Sequence, residues 1–356
     1  MDAAHTESNN GIPQINMDFT AQKSPKERAE LFIATESASG INSRLVEKDF
    51  WVCWTLYRLF DVLRVRPQMI FKGGTSLSKA YKAIDRFSED VDLSFSRKDL
   101  GFTADDLDPE AHGIGVKERR RRLDALSAKC AELIREHLLQ NLRRDFKSVM
   151  GDANWSLELD TDDTQTVIFT YPQSDITSAA AGYVRSAIRL ELGARSDDWP
   201  ASDEHISPIA AEKFSGAFEV SICRIRTLAI ARTFWEKATL LHAEYNRPAD
   251  KPSKERLSRH YYDLHCLYKR GFADEALKDK RLLKRVVEHK SLFFQSAWAH
   301  YDTAKPGTFH LVPSEERMAV IRRDYDLMRV MIFGTPPDWD VIVSDLKDLE
   351  SQINSK

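Results

Sequence analysis

The sequence predicts an α+β fold, and three features of its hydrophobic pattern support that class. The first is an amphipathic segment from Ser43 to Arg64, where apolar residues recur at helical spacing behind a plausible cap at Ser43. The second is a later region in which polar and apolar residues alternate, as they do in half-buried strands. The alternating segments are Trp155 to Asp160, Thr166 to Tyr171 and Tyr183 to Leu192. The third is the pattern after Arg226, which is helical as far as the C-terminus.

These features divide the chain into three predicted parts. Residues 1–32 begin with a polar stretch that carries glycine and proline, and we expect a loosely held N-terminal arm there. Residues 33–224 contain the alternating segments and are predicted to form the α+β domain. Residues 225–356 are predicted to form a helical domain that packs against the sheet and shapes a groove for a second substrate.

The remaining elements are predicted from the same patterns. A charged loop is expected from Arg97 to Gly115, and a long helix from Lys117 to Asn141. A short helical piece is expected at Pro208–Phe214 and a last short strand at Val220–Arg224. The predicted C-terminal elements are a helix over Arg232–Tyr245, a polar linker over Asn246–Ser258, a helix from Arg259, and amphipathic helices near 282–298, 314–333 and 339–353.

Composition restricts the possible classes of protein. The 356 residues are 42% hydrophobic and 30% charged, which is typical of a globular enzyme and not of a disordered chain. The net charge is only −3, so contact with nucleic acid would need a local basic patch. Four scattered cysteines form no C-x-x-C pair, which argues against a zinc site or a disulfide framework. With no apolar run long enough to span a bilayer and no signal-peptide pattern, we expect a cytoplasmic protein without a membrane partner.

The stretch from Phe71 to Leu93 carries the chemistry, and its first part is a glycine pair, Gly73 and Gly74. Glycine has no Cβ atom, so this pair lets the backbone turn sharply and approach a ligand closely. A helix that begins near Ser76 would direct free N–H groups at an anion such as phosphate. Thr75 or Ser76 could cap that helix or bind a phosphate directly.

The second part is Asp90-Val91-Asp92, in which the two aspartates share one face of a predicted strand. Neighbouring carboxylates repel each other unless a cation lies between them. Mg²⁺, or Mn²⁺ in its place, suits that position because it binds oxygen ligands and leaves room for phosphate oxygens. A phosphate-binding turn followed by a two-carboxylate metal site at Asp90 and Asp92 is what nucleotidyl transfer needs. The alternative is a tight turn followed by an exposed strand with solvated acids.

At these residues the sequence resembles a known superfamily. A glycine pair with a nearby serine, followed by Asp-x-Asp, resembles the signature of the polymerase-beta-like nucleotidyltransferases. Within that superfamily, KGGTSLSKAY followed by RFSEDVDL is similar to the AbiEii/AbiGii-type toxins of type IV toxin–antitoxin systems. The resemblance implies a mixed sheet flanked by helices, an NTP substrate, a growth-inhibiting role in a toxin–antitoxin or phage-defence system, and a cognate antitoxin. It also makes the 3′ end of tRNA a reasonable acceptor.

Three further site residues follow from the resemblance. Nucleotidyltransferases of this superfamily usually add a third carboxylate from a neighbouring strand, and Glu191 occupies that place as a general base or metal ligand. It could instead be a surface residue paired with Arg189 or Arg195. RTFWEKATLLH resembles the third motif of the family, whose lysine, here Lys237, contacts the phosphates. SRHYYDLHCLYK resembles the fourth, whose aspartate, here Asp263, would orient that lysine or bind the nucleotide.

The helix predicted from Lys117 carries a run of basic residues that has two interpretations. Lys117 and Arg119 to Arg122 could be a solvated helix face. They could also contact the phosphates of an RNA or a nucleotide, because Lys and Arg supply most of the affinity for such backbones. Charge reversal at Arg119 to Arg122 would distinguish an RNA acceptor from a protein acceptor.

The leading hypothesis is Mg²⁺-dependent transfer of a nucleoside monophosphate from an NTP to an acceptor hydroxyl, with release of pyrophosphate. One alternative is nucleotidylation or phosphorylation of a protein side chain by the same fold. A second is a nucleotide-binding module without catalysis, and a third is an interaction protein with no affinity for nucleotides.

Overall fold

The computed structural model describes residues 17–88, 90–177, 185–218 and 222–355. Seven strands form one mixed sheet in the order β3-β4-β5-β2-β1-β7-β6. The strands are β1 (Met69–Lys72), β2 (Asp90–Phe95), β3 (Ser156–Leu159), β4 (Thr166–Thr170), β5 (Ala187–Gly193), β6 (Ala201–Ile206) and β7 (Cys223–Leu228). Strand β2 pairs antiparallel with β1 and parallel with β5, so the predicted acidic strand lies near the middle of the sheet.

Helices flank the sheet and form the C-terminal region. They are α1 (Met17–Gln22), α2 (Pro25–Ser39), α3 (Ser43–Tyr57), α4 (Gly73–Lys79), α5 (Val116–Leu133), α6 (Leu139–Met150), α7 (Ile209–Lys213), α8 (Ile230–Tyr245), α9 (Ser258–Lys269), α10 (Phe272–Lys278), α11 (Lys280–Phe293), α12 (Glu315–Met328) and α13 (Trp339–Asn354). One turn of π-helix, Arg58–Val62, extends α3, and another, Ile134–Leu138, joins α5 to α6. The predicted α+β fold with a helical C-terminal region is therefore confirmed.

Helix α3 packs its aromatic face into the core, as its periodicity predicts. Asn42 caps the helix by accepting a hydrogen bond from the backbone N–H of Arg44. Trp51 and Trp54 are fully buried and lie 6.0 Å, ring to ring, from Phe169 of β4. Full burial of such side chains contributes roughly 1.5–3 kcal/mol each, so this aromatic face is core packing and not a ligand surface.

The N-terminal region differs from the predicted loose arm. Residues 1–16 lie outside the described part of the chain, but α1 and α2 occupy most of the rest, and Met17 and Phe32 are fully buried. The signal for α2 is a capping box, in which Ser24 and Glu27 satisfy each other's backbone N–H groups.

Several element boundaries also differ from the prediction. Strand β6, at the edge of the sheet, was not predicted because Ala201–Ile206 is polar at most positions. The strand predicted at Val220–Arg224 is β7, which runs from Cys223 to Leu228, and Val220 lies outside the described residues. The strand predicted from Tyr183 begins at Ala187, and Tyr183 likewise lies outside. The helix predicted over Lys117–Asn141 continues through α6 to Met150 because the π-turn does not interrupt it.

Two apolar clusters form the interior. One lies under the sheet with α2, α3, α5 and α6, and the other joins α8 to α13. The second cluster also contains Leu77, Ile84 and Phe87, which come from the segment between β1 and β2. The segment that carries the predicted site therefore bridges the sheet and the helical region, whereas the division at residue 225 stays a prediction. In the described ranges, no helix combines the length and apolar character needed to cross a membrane.

Candidate active site

The glycine pair lies directly against the acidic strand. Strand β1 ends at Lys72, and α4 begins at Gly73, whose φ of +76° is in the region that favours glycine. A Cβ atom at Gly73 would lie 1.9 Å from Oδ2 of Asp92. A side chain at this position would have to displace Asp92, so the backbone of this glycine elbow (Gly73 and Gly74) and the Asp92 carboxylate line the same small space.

The predicted carboxylates come together on two paired strands. Asp90 and Asp92 lie on the same face of β2, and the parallel register places Glu191 of β5 beside Asp92. Burial raises the pKa of Glu191, and the negative charges of Asp92 and Asp90 raise it further. Arg189, an alternative partner for Glu191, has its Nη1 atom 2.6 Å from Oδ2 of Asp160 and its Nε atom 3.9 Å from Oδ1 of Asp90. The three acids therefore form one group of like charges.

Besides Arg189, two basic side chains that were not predicted as site residues approach these acids. Lys72 Nζ lies 3.5 Å from Oδ1 of Asp92, and Arg259 Nη1 lies 3.5 Å from Oδ2 of Asp90. Burial by itself would lower the pKa of Lys72, but Asp92 and Glu236 outweigh it and the pKa is raised. Lys72 is thus a protonated amine next to the acidic group at neutral pH.

A buried network of ion pairs, formed by Asp263 with Arg86 and Lys237, lies next to the glycine elbow. The fully buried carboxylate of Asp263 accepts hydrogen bonds from Arg86 Nε at 2.6 Å and Nη2 at 2.8 Å, and Lys237 Nζ lies 2.8 Å from its Oδ2. Burial opposes ionisation, but the charges of Arg86 and Lys237 hold the pKa of Asp263 well below its usual range. A Cβ atom at Gly74 would lie 2.8 Å from Arg86 Nη2. Of the two roles suggested for Asp263, this geometry corresponds to the orientation of Lys237.

Lys237 itself lies at the wall of the cleft. Its side chain is mostly buried, and burial lowers the pKa of its amine while Asp263 acts in the opposite direction. The sequence alone would place Lys237 on a surface helix with Glu236. The packing of α8 against α9 instead buries Lys237 and brings it into contact with Asp263.

The hydroxyl groups beside the elbow have structural partners. Thr75 Oγ1 donates to the backbone carbonyl of Asp90, and Ser76 Oγ donates to that of Gly73 at 2.9 Å. Both side chains are buried, and α4 begins at Gly73 and not near Ser76. The Thr75 hydroxyl therefore joins α4 to β2 and the Ser76 hydroxyl bonds within its own turn, so a phosphate at this turn would meet backbone N–H groups and not these side chains.

A cleft of about 610 Å³ opens in front of these residues. One wall contains Lys72, the glycine elbow and the acids of β2 and β5, and the other is formed by α8, α9 and α11. Lys237, Arg259 and Lys290 line it together with the carboxylates. The cleft thus presents acidic side chains on one wall and basic side chains on both walls, which suits a polyphosphate with a bound cation.

The metal prediction depends on two ligands. Across the described residues, no cluster of three or more His, Cys, Asp or Glu side chains is arranged to hold a metal ion. The pair Asp90 and Asp92 nevertheless fits Mg²⁺, which usually binds one or two carboxylates and completes its shell with water and substrate phosphates. The raised pKa of Glu191 beside them also indicates a site that a cation would stabilise.

The basic run on α5 is largely occupied by contacts within the protein. Arg122 is buried, bonds Glu118 at 2.8 Å and donates to the backbone carbonyls of Asp105 and Asp108. Arg121 also bonds Glu118. Arg122 therefore links α5 to the charged loop that contains Asp105 and Asp108. The basic residues of the cleft are the better candidates for contact with phosphates.

Comparisons with known proteins show the family to which the chain belongs. The family described as "Nucleotidyl transferase AbiEii toxin, Type IV TA system" matches residues 54–345. The fold is similar to that of MenT4, a nucleotidyltransferase toxin from Mycobacterium tuberculosis H37Rv, with a TM-score of 0.50 and 13% identity over 94% of this chain and 90% of that one. No curated protein matches the sequence. Since the family match covers most of the chain, including the glycine elbow, Asp90, Asp92, Glu191, Lys237 and Asp263, this protein belongs to the AbiEii family of nucleotidyltransferase toxins.

Proposed function

We propose that this nucleotidyltransferase moves a nucleoside monophosphate from an NTP to the hydroxyl at the 3′ end of a tRNA, and that it requires Mg²⁺. The observation that carries the proposal is the contact between the glycine elbow and Asp92, with Glu191 paired beside it. That arrangement supplies a place for phosphates, two ligands for a cation and a base within one cleft.

Each group has a distinct task. Asp90 and Asp92 would hold Mg²⁺, which when bound neutralises phosphate charge and polarises the α-phosphate. The backbone of the glycine elbow lies close enough to contact phosphate oxygens because no side chain intervenes. Lys237 and Arg259 offset the negative charge of the triphosphate, and Asp263 keeps Lys237 in place.

The reaction is an in-line displacement at the α-phosphorus. The acceptor hydroxyl oxygen forms a new P–O bond, the bond between the α-phosphorus and its bridge oxygen to the β-phosphate breaks, and pyrophosphate leaves. The hydroxyl proton passes to the carboxylate of Glu191. Burial raises the pKa of that carboxyl and thereby strengthens it as a base relative to an exposed glutamate.

A labelling experiment tests the proposal. The protein is incubated with Mg²⁺, total tRNA and soluble cell protein, together with each of the four NTPs labelled at the α-phosphate or, separately, at the γ-phosphate. We expect α-label to enter tRNA, γ-label to remain in pyrophosphate, and Asp92→Asn to abolish labelling. Oxidation of the tRNA 3′ diol with periodate should block the reaction.

The other outcomes identify the alternatives. Transfer of α-label to protein would indicate nucleotidylation of a side chain, and transfer of γ-label would indicate phosphorylation. Binding of NTP without any transfer, retained in Asp90→Ala combined with Asp92→Ala, would indicate a non-catalytic module. In the cell, expression should arrest growth unless the cognate antitoxin is present, and Asp92→Asn should remove that effect.

A further inference from the structure

One buried histidine in the cleft lacks a partner for its ring nitrogen. His289 of α11 is only 3% exposed, and its Nε2 atom has no hydrogen-bond partner among the described residues. Burial, reinforced by the charge of Arg232, lowers the pKa of His289 to about 3. The ring is therefore neutral at pH 7 and carries one N–H donor and one acceptor nitrogen.

A threonine on the facing helix is in the same situation. Thr233 of α8 is 3% exposed, and its hydroxyl has no partner within the described part of the chain. A buried helical threonine normally donates to the carbonyl four residues earlier. Thr239 of the same helix does so, with its Oγ1 atom 2.7 Å from the carbonyl oxygen of Trp235. Thr233 thus retains a free donor and acceptor.

The position of these two atoms makes them unusual. Buried side-chain atoms without a partner occur elsewhere in the described ranges, for example at Trp51 and Ser94 in the core, but Thr233 and His289 also line the cleft. An unsatisfied buried polar group costs roughly 1–3 kcal/mol, and a ligand that bonds it recovers that cost.

Aromatic rings lie beside His289. The Phe293 ring is stacked on His289 with centroids 4.4 Å apart and planes 19° apart. The Phe294 ring lies 6.1 Å from His289, is 44% exposed and also lines the cleft. Aromatic side chains next to unpaired donors and acceptors are what a planar heterocycle requires, because its faces stack and its edge forms hydrogen bonds.

We propose that Thr233, His289 and the exposed ring of Phe294 form a nucleobase subsite that reads the hydrogen-bonding edge of one base, with the buried Phe293 stacked on the imidazole. This inference rests on the proposed nucleotidyl transfer. Thr233 and His289 supply the selectivity, and Phe294 supplies a stacking face that accepts any base. The base belongs either to the incoming NTP or to the terminal nucleotide of the acceptor.

The test measures selectivity and not activity alone. Equilibrium binding of ATP, GTP, CTP and UTP is measured by calorimetry, without acceptor, for wild type, Thr233→Val, His289→Gln and Phe294→Leu. Thr233→Val is nearly isosteric and should fold. We expect Thr233→Val and His289→Gln each to reduce the ratio between the highest and the lowest NTP affinity about tenfold. Loss of one discriminating hydrogen bond has an effect of about this size. Phe294→Leu should weaken all four NTPs and leave the ratio unchanged.

Thr239→Val is the matched control, since its hydroxyl bonds only backbone carbonyls of its own helix. It should leave the ratio as in wild type. If NTP ratios are unchanged but Thr233→Val alters the preference among tRNAs that differ in their terminal base, the subsite binds the acceptor base. If neither ratio changes by more than twofold in folded variants, the inference is wrong. A wild type that binds NTPs selectively but transfers nothing would refute the proposed function alone.

Discussion

The backbone of Gly73 and the carboxylate of Asp92 occupy adjoining space: a Cβ atom on the glycine would lie 1.9 Å from Oδ2 of the aspartate. The two residues are separated by most of the segment between β1 and β2, and antiparallel pairing of these strands brings them together. This contact joins the turn proposed to approach phosphates with the residue proposed to bind a cation, and the first prediction follows from it.

Gly73→Ala should abolish nucleotidyl transfer and Mg²⁺-dependent NTP binding, because the methyl group displaces the Asp92 side chain. The positive φ at Gly73 also means that alanine there lowers the free energy of unfolding by about 1–2 kcal/mol. Gly40→Ala is the control, since Gly40 has φ +73° and no atom within 4 Å of the added methyl group. Both variants should lose the stability due to positive φ in urea unfolding, with any further loss in Gly73→Ala due to the displaced Asp92, and only Gly73→Ala should lose activity. Retention of activity in Gly73→Ala would contradict the assigned site.

Asp263→Asn should destabilise the protein, because it leaves the charges of Arg86 and Lys237 buried without their counter-ion. Removal of one partner of a buried ion pair costs about 3–5 kcal/mol. The free energy of unfolding, measured in guanidinium chloride, should show this loss. Glu275→Ala, which breaks an exposed pair with Lys278, should give no measurable change. Equal stability of the two variants would show that the network is not structural.

Glu191→Gln should raise stability at neutral pH in the absence of metal. The folded-state pKa of Glu191 is raised above its ordinary value of 4.5. The protonated carboxyl therefore contributes its whole stabilising effect to the folded state below that ordinary value. That stability is lost as pH rises through the raised folded pKa. Glutamine resembles the protonated acid, so the variant should exceed wild type at pH 7 and match it in acid. Urea titrations from pH 4 to 8 with EDTA would check this, and Mg²⁺ should reduce the difference.

Mg²⁺ should stabilise the wild type through Asp90 and Asp92. A ligand at 100 times its Kd adds about 2.7 kcal/mol to the free energy of unfolding, so Mg²⁺ together with an NTP should raise the Tm. Asp90→Asn and Asp92→Asn should remove the shift. Asp203→Asn, at an exposed pair with Arg224, should preserve it. Thermal scans with and without EDTA supply the comparison.

Charge reversal on α5 should separate structure from acceptor binding. Arg122→Glu should lower the Tm, since Arg122 is buried and bonds Glu118 and two backbone carbonyls. Arg120→Glu, at an exposed position of the same helix, should leave the Tm unchanged. If Arg120→Glu instead abolishes labelling of tRNA while NTP binding persists, α5 contacts the acceptor.

Local patterns were sufficient for the central part of the site. Asp90 and Asp92 share a face because side chains alternate along any strand, and a glycine pair before a helix indicates a tight turn in any fold. The resemblance to the family contributed Glu191, Lys237 and Asp263, whose partners lie far away in sequence. The capping box before α2 was also a local signal, although the sequence analysis did not use it.

Tertiary structure alone decided which partners these residues have. Lys72 and Arg259 approach the acids, and Arg86 lies beneath Gly74, only because strand pairing and helix packing bring them there. Packing also gives the hydroxyl of Thr75 a backbone partner on β2, whereas the hydroxyl of Ser76 bonds locally to Gly73. The sequence by itself therefore determined which chemical groups are present and which of them share a local face. Distances between segments depend on how the whole core packs, so charge pairing, burial and pKa shifts were set by the folded chain.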